Sequence, residues 1–534
     1  MSIQHCSRCP LFFSVLLSTA LFAVVARAND GRDRYQQGYP NVMVHLDGPL
    51  SPEAGYRVLA DDMEGGADGD PAFRWGQKHA LAVVEVAARH TRQALGMGPF
   101  EMALFDMSAE NGDTPVDFGW KRALKPGELS PPPRGRHPGG SHDGGLNLDL
   151  GYYLTSLKGK VLAEDYAACT EHHDATARDA AGKPVDVNRC TGPADRLDVE
   201  RQSFFVLELL KLHRDRFGAS LIDESGMDQK VKEAVLGQLL AWEKSKRHGV
   251  TRQHIQDLEA LFSHDRWGGW QKFHHHHMHL RIQPFRTTGP LRDAATGIEV
   301  EARKVRAGLL AQAHADWPVA LDAQALSYKL ERSVEVHAVK LRERPTVQVR
   351  TVRFRLDGGE WVEPDEPRDD FRYIFDLPPG LRPQGGTVTV EAEVSTASGK
   401  TSTISTTLAL PRLDPRLFVA YQPGAIGGGA RIKGREVRAQ LELPVHLKPL
   451  VTGVRYLLYP ADGGAPEVHV VDAGWFAPAP DAQAPEGGTR SRGKLDGLPL
   501  VVKPRFTTAV ALVEAQVMFS SRMTVSVPLL VQVP

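Results

Sequence analysis

The sequence predicts an α+β domain followed by one or two all-β, sandwich-like domains. In the first half of the chain, helical periodicity and short strand patterns follow one another without regular βαβ alternation, which is typical of α+β folds. In the second half, period-2 runs of apolar residues take over. A chain of 534 residues is also too long for a single core. We therefore expect an α+β domain over 29–286, a linker over 287–317, and β-rich domains over 318–411 and 412–534.

The chain begins with the features of a secretory signal peptide. Arg8 is followed by the apolar run 11–25 and by the tripeptide A-R-A at 26–28, the kind of small-residue site that signal peptidase cleaves. The apolar run is shorter than the roughly 20 residues that a membrane-spanning helix needs, which disfavours a permanent anchor. We expect residues 1–28 to be removed and the mature protein to be periplasmic, without stable membrane insertion.

Charge and cysteine content narrow the class of protein further. A formal net charge of -1 gives no reason to expect a nucleic-acid partner. Of the four cysteines, Cys6 and Cys9 lie within the predicted signal peptide. Cys169 and Cys190 remain, and an even pair in an oxidising compartment predicts a disulfide. A metal-binding role for this pair is disfavoured, because it lacks the C-x-x-C spacing.

Within the first domain, the spacing of apolar residues predicts each element in order. A helix runs through Leu81, Val84, Ala88 and Leu95 and stops at Gly96. The other expected elements are strands over 101–107 and 146–150, a polar insertion over 158–198, a helix over 205–212, a strand over 220–222, a helix over 231–242 behind a cap at Asp228, and a strand over 277–282.

The second half of the chain is patterned as β-strands. Gly-rich turn signals such as 357–359 and 384–386 separate the apolar runs, which indicates an immunoglobulin-like β-sandwich over 318–411. A second β-rich domain is expected over 412–534, interrupted by the Ala/Pro/Gly-rich loop 477–494. The alternating runs themselves are 334–336, 352–356, 388–394, 437–441 and 454–458.

Two histidine-containing clusters are the candidates for chemistry. The first, S-H-D-G-G-L-N-L-D at 141–149, contains H-x6-D, and the second, F-H-H-H-H-M-H-L-R at 273–281, contains H-x-H. Each alone has a simpler interpretation: H-x6-D occurs by chance in many chains, and a histidine run can be low-complexity sequence or a tag. Tags lie at termini, however, whereas this run leads into a strand pattern. The two clusters together favour a functional site.

The residue types in the two clusters suit a catalytic zinc ion, which takes three His or carboxylate ligands and keeps a fourth position for water. His142 and Asp149 can converge on one ion, because the glycines between them permit a sharp bend. Period 2 places His277 and His279 on one face of their strand. One of this pair can complete a His2Asp site, and the other then lies beside the water as a base or charge stabiliser.

The order of these motifs resembles the lysostaphin, D-alanyl-D-alanine metallopeptidase and hedgehog superfamily. More closely, S-H-x-x-G-L-[ND]-[VL]-D-[IL] at 141–150 and H-x-x-H-M-H-[VL]-R at 274–281 resemble the penicillin-insensitive murein endopeptidases. The Trp-rich stretch 267–270 also fits, and the likeness covers about residues 95–286. It implies that 29–286 is a zinc-peptidase domain of the hedgehog/D-Ala-D-Ala peptidase type.

The resemblance also implies roles for individual residues. Zn2+ would be held by His142, Asp149 and His279. His277 would be the catalytic histidine, and His274 falls where the family has a further active-site histidine. The implied reaction is hydrolysis of the D-Ala–diaminopimelate cross-links of peptidoglycan through a zinc-bound water.

The chain departs from the family at several points. Gly139 stands where the family has a histidine, and His137 is the nearest substitute. The murein enzymes are also richer in cysteine and lack the long β-rich C-terminal half. A D-Ala-D-Ala carboxypeptidase of the same superfamily is therefore an alternative, since the same ligands serve both reactions. A non-catalytic cell-wall-binding protein is a further alternative, which the intact His277 disfavours.

Overall fold

The computed structural model describes residues 42–46, 52–58, 73–110, 112, 114–117, 134–135, 142–157, 163–178, 184–214, 220–262, 274–286, 288–310, 318–328, 331–341, 348–364, 370–377, 386–410, 426–444, 451–472, 494–496, 500–519 and 524–532. The predicted signal peptide 1–28, His137, Gly139, the stretch 267–270 and most of the loop 477–494 lie outside these residues. Within them, no helix is long and apolar enough to cross a membrane.

The fold is mixed α/β and mostly β-sheet. The α-helices of the described chain are α1 Lys78–Leu95, α2 Val199–Arg214, α3 Gln229–Ser245, α4 Arg252–Leu261 and α5 Pro290–Leu310. The strands up to residue 282 are β1 Met43–His45, β2 Tyr56–Val58, β3 Trp75–Gln77, β4 Met102–Leu104, β5 Val116–Asp117, β6 Arg134–Gly135, β7 Asn147–Gly151, β8 His172–Arg178, β9 Pro184–Cys190, β10 Ile222–Gly226 and β11 His277–Ile282. The later strands are β12 Val319–Tyr328, β13 Glu331–Lys340, β14 Val349–Leu356, β15 Asp370–Asp376, β16 Gly386–Thr396, β17 Thr401–Leu410, β18 Gly427–Lys433, β19 Glu436–Pro444, β20 Val451–Pro460, β21 Glu467–Asp472, β22 Lys494–Asp496, β23 Leu500–Val502, β24 Val510–Phe519 and β25 Thr524–Gln532.

A five-stranded sheet in the order β10-β11-β7-β4-β2 carries both histidine clusters. Its strands β7 and β11 are adjacent and antiparallel. Alternate apolar residues of the two strands, Leu148, Leu150, Met278 and Leu280, join residues of helices α1, α2, α3 and α5 in one apolar core. Because side chains alternate across a strand, the polar residues of β7 and β11 share the opposite face. The sheet therefore brings the two clusters to one surface.

Helix α1 lies where its apolar spacing predicted it. Leu81, Val84 and Ala88 are buried in the core that covers the sheet. The helix ends as Gly96 takes a φ of 72° and donates its N–H to the carbonyl of Arg92 at 2.9 Å. A glycine at this position satisfies a terminal carbonyl without the strain that a side chain would bring. The predicted end of the helix at Gly96 is confirmed.

A second five-stranded sheet, in the order β15-β13-β12-β1-β3, joins distant parts of the chain. Strand β1 places Met43 opposite Ser327 of β12 on one side and opposite Gln77 of β3 on the other. This sheet shares an apolar core with the three-stranded sheet β14-β16-β17, and Val336 and Val390 belong to that core. Strands from both predicted regions, 29–286 and 318–411, therefore form one sheet of the β-sandwich.

The segment 287–317, expected to be a linker, contains helix α5. Ala295 and Ile298 of this helix are buried in the core of the first sheet. Near its end, Arg306 is buried and forms ion pairs with Asp322 of β12 at 3.0 Å and with Glu85 of α1 at 2.6 Å. Helix α5 is thus a packed part of the fold and not a spacer, because its apolar residues are buried and its buried arginine forms two ion pairs.

The last region contains an eight-stranded sheet. Strands β21, β20, β24, β25, β18, β19 and β22 follow one another across it, and β23 also pairs with β19. Its described pairings are antiparallel except for β18 with β25, which run parallel. Val437, Tyr456 and Val517 are among the residues of its own apolar core. The β-patterned runs predicted at 437–441 and 454–458 lie on β19 and β20.

Candidate metal centre

The first cluster forms a tight turn ahead of strand β7. His142 takes a left-handed φ of 63°, and Gly144 and Gly145 follow with φ of 68° and 69°. Gln77 Nε2 donates to the Gly144 carbonyl at 2.7 Å, and the Gly145 N–H donates to Ser108 Oγ at 2.9 Å. Glycine adopts such backbone angles readily, whereas His142 adopts them with strain. The two glycines therefore allow the bend, and contacts from neighbouring segments hold it.

The imidazole of His142 is buried and oriented by the backbone. Its Nδ1 lies 3.1 Å from the Met107 carbonyl oxygen. A carbonyl only accepts hydrogen bonds, so Nδ1 donates to it, and Nε2 is the nitrogen left to bind a metal ion. That Nε2 lies 3.2 Å from Oδ2 of Asp149. The ring thus presents the atom that a metal ion requires toward the carboxylate.

Strand register brings the second cluster to the same place. His279 of β11 lies opposite Asp149 of β7, and its Nδ1 is 2.7 Å from Asp149 Oδ1. The other ring nitrogen, Nε2, lies 3.1 Å from Oδ1 of Asn147. The amide oxygen accepts a hydrogen bond from Nε2, so Nδ1, which faces Asp149, is the nitrogen placed to bind a metal ion.

His142, Asp149 and His279 therefore form a buried group that could hold a metal ion. One ligand atom from each lies within 4.8 Å of the other two. Burial opposes ionisation of Asp149, but the charges of His142 and His277 hold the pKa of this carboxyl well below its usual range. The aspartate is thus the anion that a cation site needs.

The remaining predicted histidines lie beside this group. His277 places Nε2 3.5 Å from Asp149 Oδ1, and its side chain is 12% exposed. The ring of His274 lies 5.0 Å from that of His277 and 6.3 Å from that of His279, measured between centroids. All five predicted site residues therefore come together on one face of the sheet.

No protein-family model and no curated protein matches this chain. Among solved structures, it is similar to SGBP-B of the Bacteroides ovatus mixed-linkage glucan utilization locus, a structure in complex with a mixed-linkage heptasaccharide. The sequence identity is 13% and the TM-score is 0.12. The match covers 37% of this chain and 41% of that one, which is less than half of either protein. A likeness this slight carries no functional argument.

Residues outside the motifs support the second cluster. The buried hydroxyl of Tyr152 donates to the His274 carbonyl at 2.7 Å and accepts the Asp228 N–H at 3.1 Å. Asp228 also caps helix α3 by accepting from Lys230 N–H at 2.7 Å, as its position ahead of the helix predicted. Asn147 could have been found from the sequence, because it lies on the predicted polar face of its strand. Tyr152 had no such signal.

Cys169 and Cys190 form the predicted disulfide, with 5.8 Å between their Cα atoms. The polar insertion that it closes contains the hairpin of β8 and β9. The insertion contacts the histidine run: the Ala168 N–H donates to the His275 carbonyl at 2.8 Å, and the His172 ring stacks on that of His275 at 5.0 Å. The disulfide loop thus lies against the backbone that carries the second cluster.

Proposed function

We propose that this protein is an exported zinc-dependent peptidase that hydrolyses the peptide cross-links of peptidoglycan. The observation that carries the proposal is the buried His2Asp group with His277 beside it. Two histidines and one carboxylate are a ligand set found in catalytic zinc sites. The substrate class rests on the motif resemblance at 141–150 and 274–281 and on the predicted signal peptide 1–28.

The donor atoms fit zinc in kind and spacing. Ligand atoms about 2.0–2.1 Å from a tetrahedral zinc ion lie roughly 3.3 Å from one another. His142 Nε2 lies 3.2 Å from Asp149 Oδ2, His279 Nδ1 lies 2.7 Å from Asp149 Oδ1, and one ligand atom from each residue lies within 4.8 Å of the other two. Zinc held there supplies a Lewis acid that polarises the peptide carbonyl and favours ionisation of water.

Asp149, His277 and His274 have separate roles in the proposed reaction. Asp149 stays ionised, because its pKa lies well below its usual range despite burial, and so it offsets the charge of the cation. His277 lies at hydrogen-bonding range from this site and reaches solvent, and an imidazole exchanges protons near neutral pH. We assign His277 the transfer of a proton from water to the leaving amine. His274, packed edge-on against the His277 ring, restricts its orientation.

The proposal can be tested with purified protein and intact peptidoglycan sacculi, analysing the released muropeptides by mass spectrometry. We expect the wild type to convert cross-linked dimers into monomers. His279→Ala should lose both zinc and cleavage, whereas His277→Ala should keep zinc and lose at least 100-fold in rate, as expected for a proton-transfer residue. His173→Ala, which removes an exposed histidine of β8, is the matched control and should behave as wild type.

Other outcomes would redirect the assignment. Release of terminal D-Ala alone would move it to a D-Ala-D-Ala carboxypeptidase. A folded, zinc-loaded chain that cleaves neither bond would overturn the peptidase proposal and favour a cell-wall-binding protein. Cleavage that survives both chelation and His279→Ala would exclude this metal centre as its source.

A further inference from the structure

The β-sandwich reaches the metal centre through its own sheet. Strand β3, at one edge of that sheet, bonds to the segment after β4: Trp75 N–H donates to Ser108 O at 3.2 Å, and Ser108 N–H donates to Trp75 O at 3.0 Å. From the same strand, Gln77 Nε2 donates to the Gly144 carbonyl in the ligand turn. The turn that carries His142 is therefore built against the edge of the sandwich.

Residues 107–110 and Gly112, which we name the supporting segment, contact His142 and its turn at three places. Its Met107 carbonyl accepts from the His142 ring, and Ser108 Oγ donates to the His142 carbonyl at 2.7 Å. At its other end, the Gly112 carbonyl accepts the Gly144 N–H at 2.6 Å. A displacement of the supporting segment would thus move the ligand and its turn together.

An ion pair between Glu110 and Arg332 also joins the supporting segment to the sandwich. Glu110, 1% exposed, lies between the residues that contact the ligand turn. Arg332 of β13 binds it through both carboxylate oxygens, with Nε to Oε1 at 2.7 Å and Nη2 to Oε2 at 2.6 Å. The guanidinium also lies over the Trp75 ring, 5.9 Å from its centroid. A two-pronged arginine–carboxylate pair fixes orientation as well as distance.

We propose that Arg332 is a positioning residue for the metal centre, acting on His142 through Glu110 and the supporting segment. The sandwich then serves the metal site directly and is not an accessory module on a tether. Without Arg332, the buried Glu110 carboxylate would lose this oppositely charged group, which is strongly unfavourable for a buried charge, and the supporting segment would shift. The inference rests on the proposed metal centre and not on the proposed cleavage reaction.

The test compares full-length variants by their affinity for Zn2+, measured by competition with a fluorescent chelator. We expect Arg332→Gln to bind Zn2+ at least 10-fold more weakly than wild type, the effect usual for groups that orient ligands. The matched control is Arg353→Gln, because Arg353 pairs with Glu393 at 2.5 Å in the other sheet of the sandwich. That variant should keep wild-type affinity.

Hydrogen exchange of the metal-free protein gives a readout independent of zinc. Peptides covering 142–150 should exchange faster in Arg332→Gln than in Arg353→Gln. Wild-type affinity and wild-type exchange in a folded Arg332→Gln would overturn the inference. If that variant does not fold, the same two measurements are made on Glu110→Gln, which removes the ion pair but keeps the side-chain volume. Zinc binding without cleavage in the wild type would instead count against the proposed function alone.

Discussion

His142 and His279 present different ring nitrogens to the carboxylate of Asp149. His142 presents Nε2 because its Nδ1–H donates to the Met107 carbonyl. His279 uses Nδ1 because Asn147 lies at its Nε2. A hydrogen bond at the far nitrogen fixes both the tautomer and the orientation of a ligating imidazole. Asn147 is therefore as much a part of the site as the residues that the motifs single out.

Replacing Asn147 with leucine should weaken Zn2+ binding by about 10- to 100-fold, because the His279 ring would lose the acceptor that fixes its tautomer. Chelator competition on the purified protein measures this. Asn147→Asp is the matched control: it keeps an oxygen acceptor at the same place and should remain close to wild type. Equal affinities for the leucine and aspartate variants would show that the tautomer is set by something other than this contact.

At the scale of elements, the ligand turn depends on two glycines with similar backbone angles and different surroundings. A Cβ on Gly145 would overlap the Met43 side chain and lie 3.0 Å from the Gln77 nitrogen. A Cβ on Gly144 would meet nothing within 4 Å. Both positions have positive φ, so both bear the same conformational demand, but only Gly145 is pressed against the sandwich strands β1 and β3.

Alanine substitutions at the two glycines should therefore differ. Gly144→Ala should lower the free energy of unfolding by about 1–2 kcal/mol, the cost of a left-handed angle with a side chain. Gly145→Ala should lose a further 1–3 kcal/mol from overpacking. Urea unfolding of metal-free protein measures both values. Equal losses would mean that Met43 moves aside freely and that the turn is not packed tightly on the sandwich.

The strands around the site show what local pattern can predict. The bounds of β11, His277–Ile282, coincide with the predicted strand, because apolar Met278, Leu280 and Ile282 alternate with polar residues. Strand β10 begins at Ile222, where the predicted strand ended. Its sequence, IDESG, has almost no apolar alternation, and pairing with β11 makes it a strand. Helix α4 was not predicted, because its ten residues are short for a periodic signal.

At the scale of the whole molecule, buried histidines couple stability to pH. Burial lowers the pKa of His79 to about 4, although its bond to the Gln283 carbonyl opposes the shift. Burial, with help from Arg303, likewise lowers the pKa of His337 to about 4. As the pH falls below 6.5, the ordinary histidine pKa, both histidines become protonated in the unfolded chain. In the folded chain they stay neutral until about pH 4. The contribution of these two histidines to the free energy of unfolding is thus fully present above pH 6.5 and is lost as the pH decreases toward 4.

In His79→Gln, which keeps an N–H donor, the loss of stability from pH 7 to pH 5 should be smaller than in wild type by about 2 kcal/mol. Urea unfolding at the two pH values, with chelator present throughout, isolates this term from metal binding. His173→Ala should leave the pH dependence unchanged, since that histidine is exposed. An identical fall in His79→Gln would mean that His79 titrates normally in the folded protein.

The sequence predicted the constellation of the candidate site better than the architecture around it. His142, Asp149, His277 and His279 were placed together because each lies on a strand or turn with a clear local pattern. The shared sheet had no such signal: β1 and β3 are three residues each, and the partner of β1 lies at 319–328. The spacing of apolar residues predicts which face of a strand is buried. It does not predict which distant strand will be the partner in the sheet.

That shared sheet also sets an order of events during biosynthesis. Residues 43–77 are synthesised, and in the proposed exported protein translocated, long before 319–340, and domains form from the N-terminus as the chain emerges. Until β12 and β13 arrive, β1 lacks one neighbour and Glu110 lacks Arg332. A contact between such distant segments forms slowly, because the chain between them must first be ordered. The geometry of the candidate metal centre is therefore completed late, after more than half of the polypeptide has emerged.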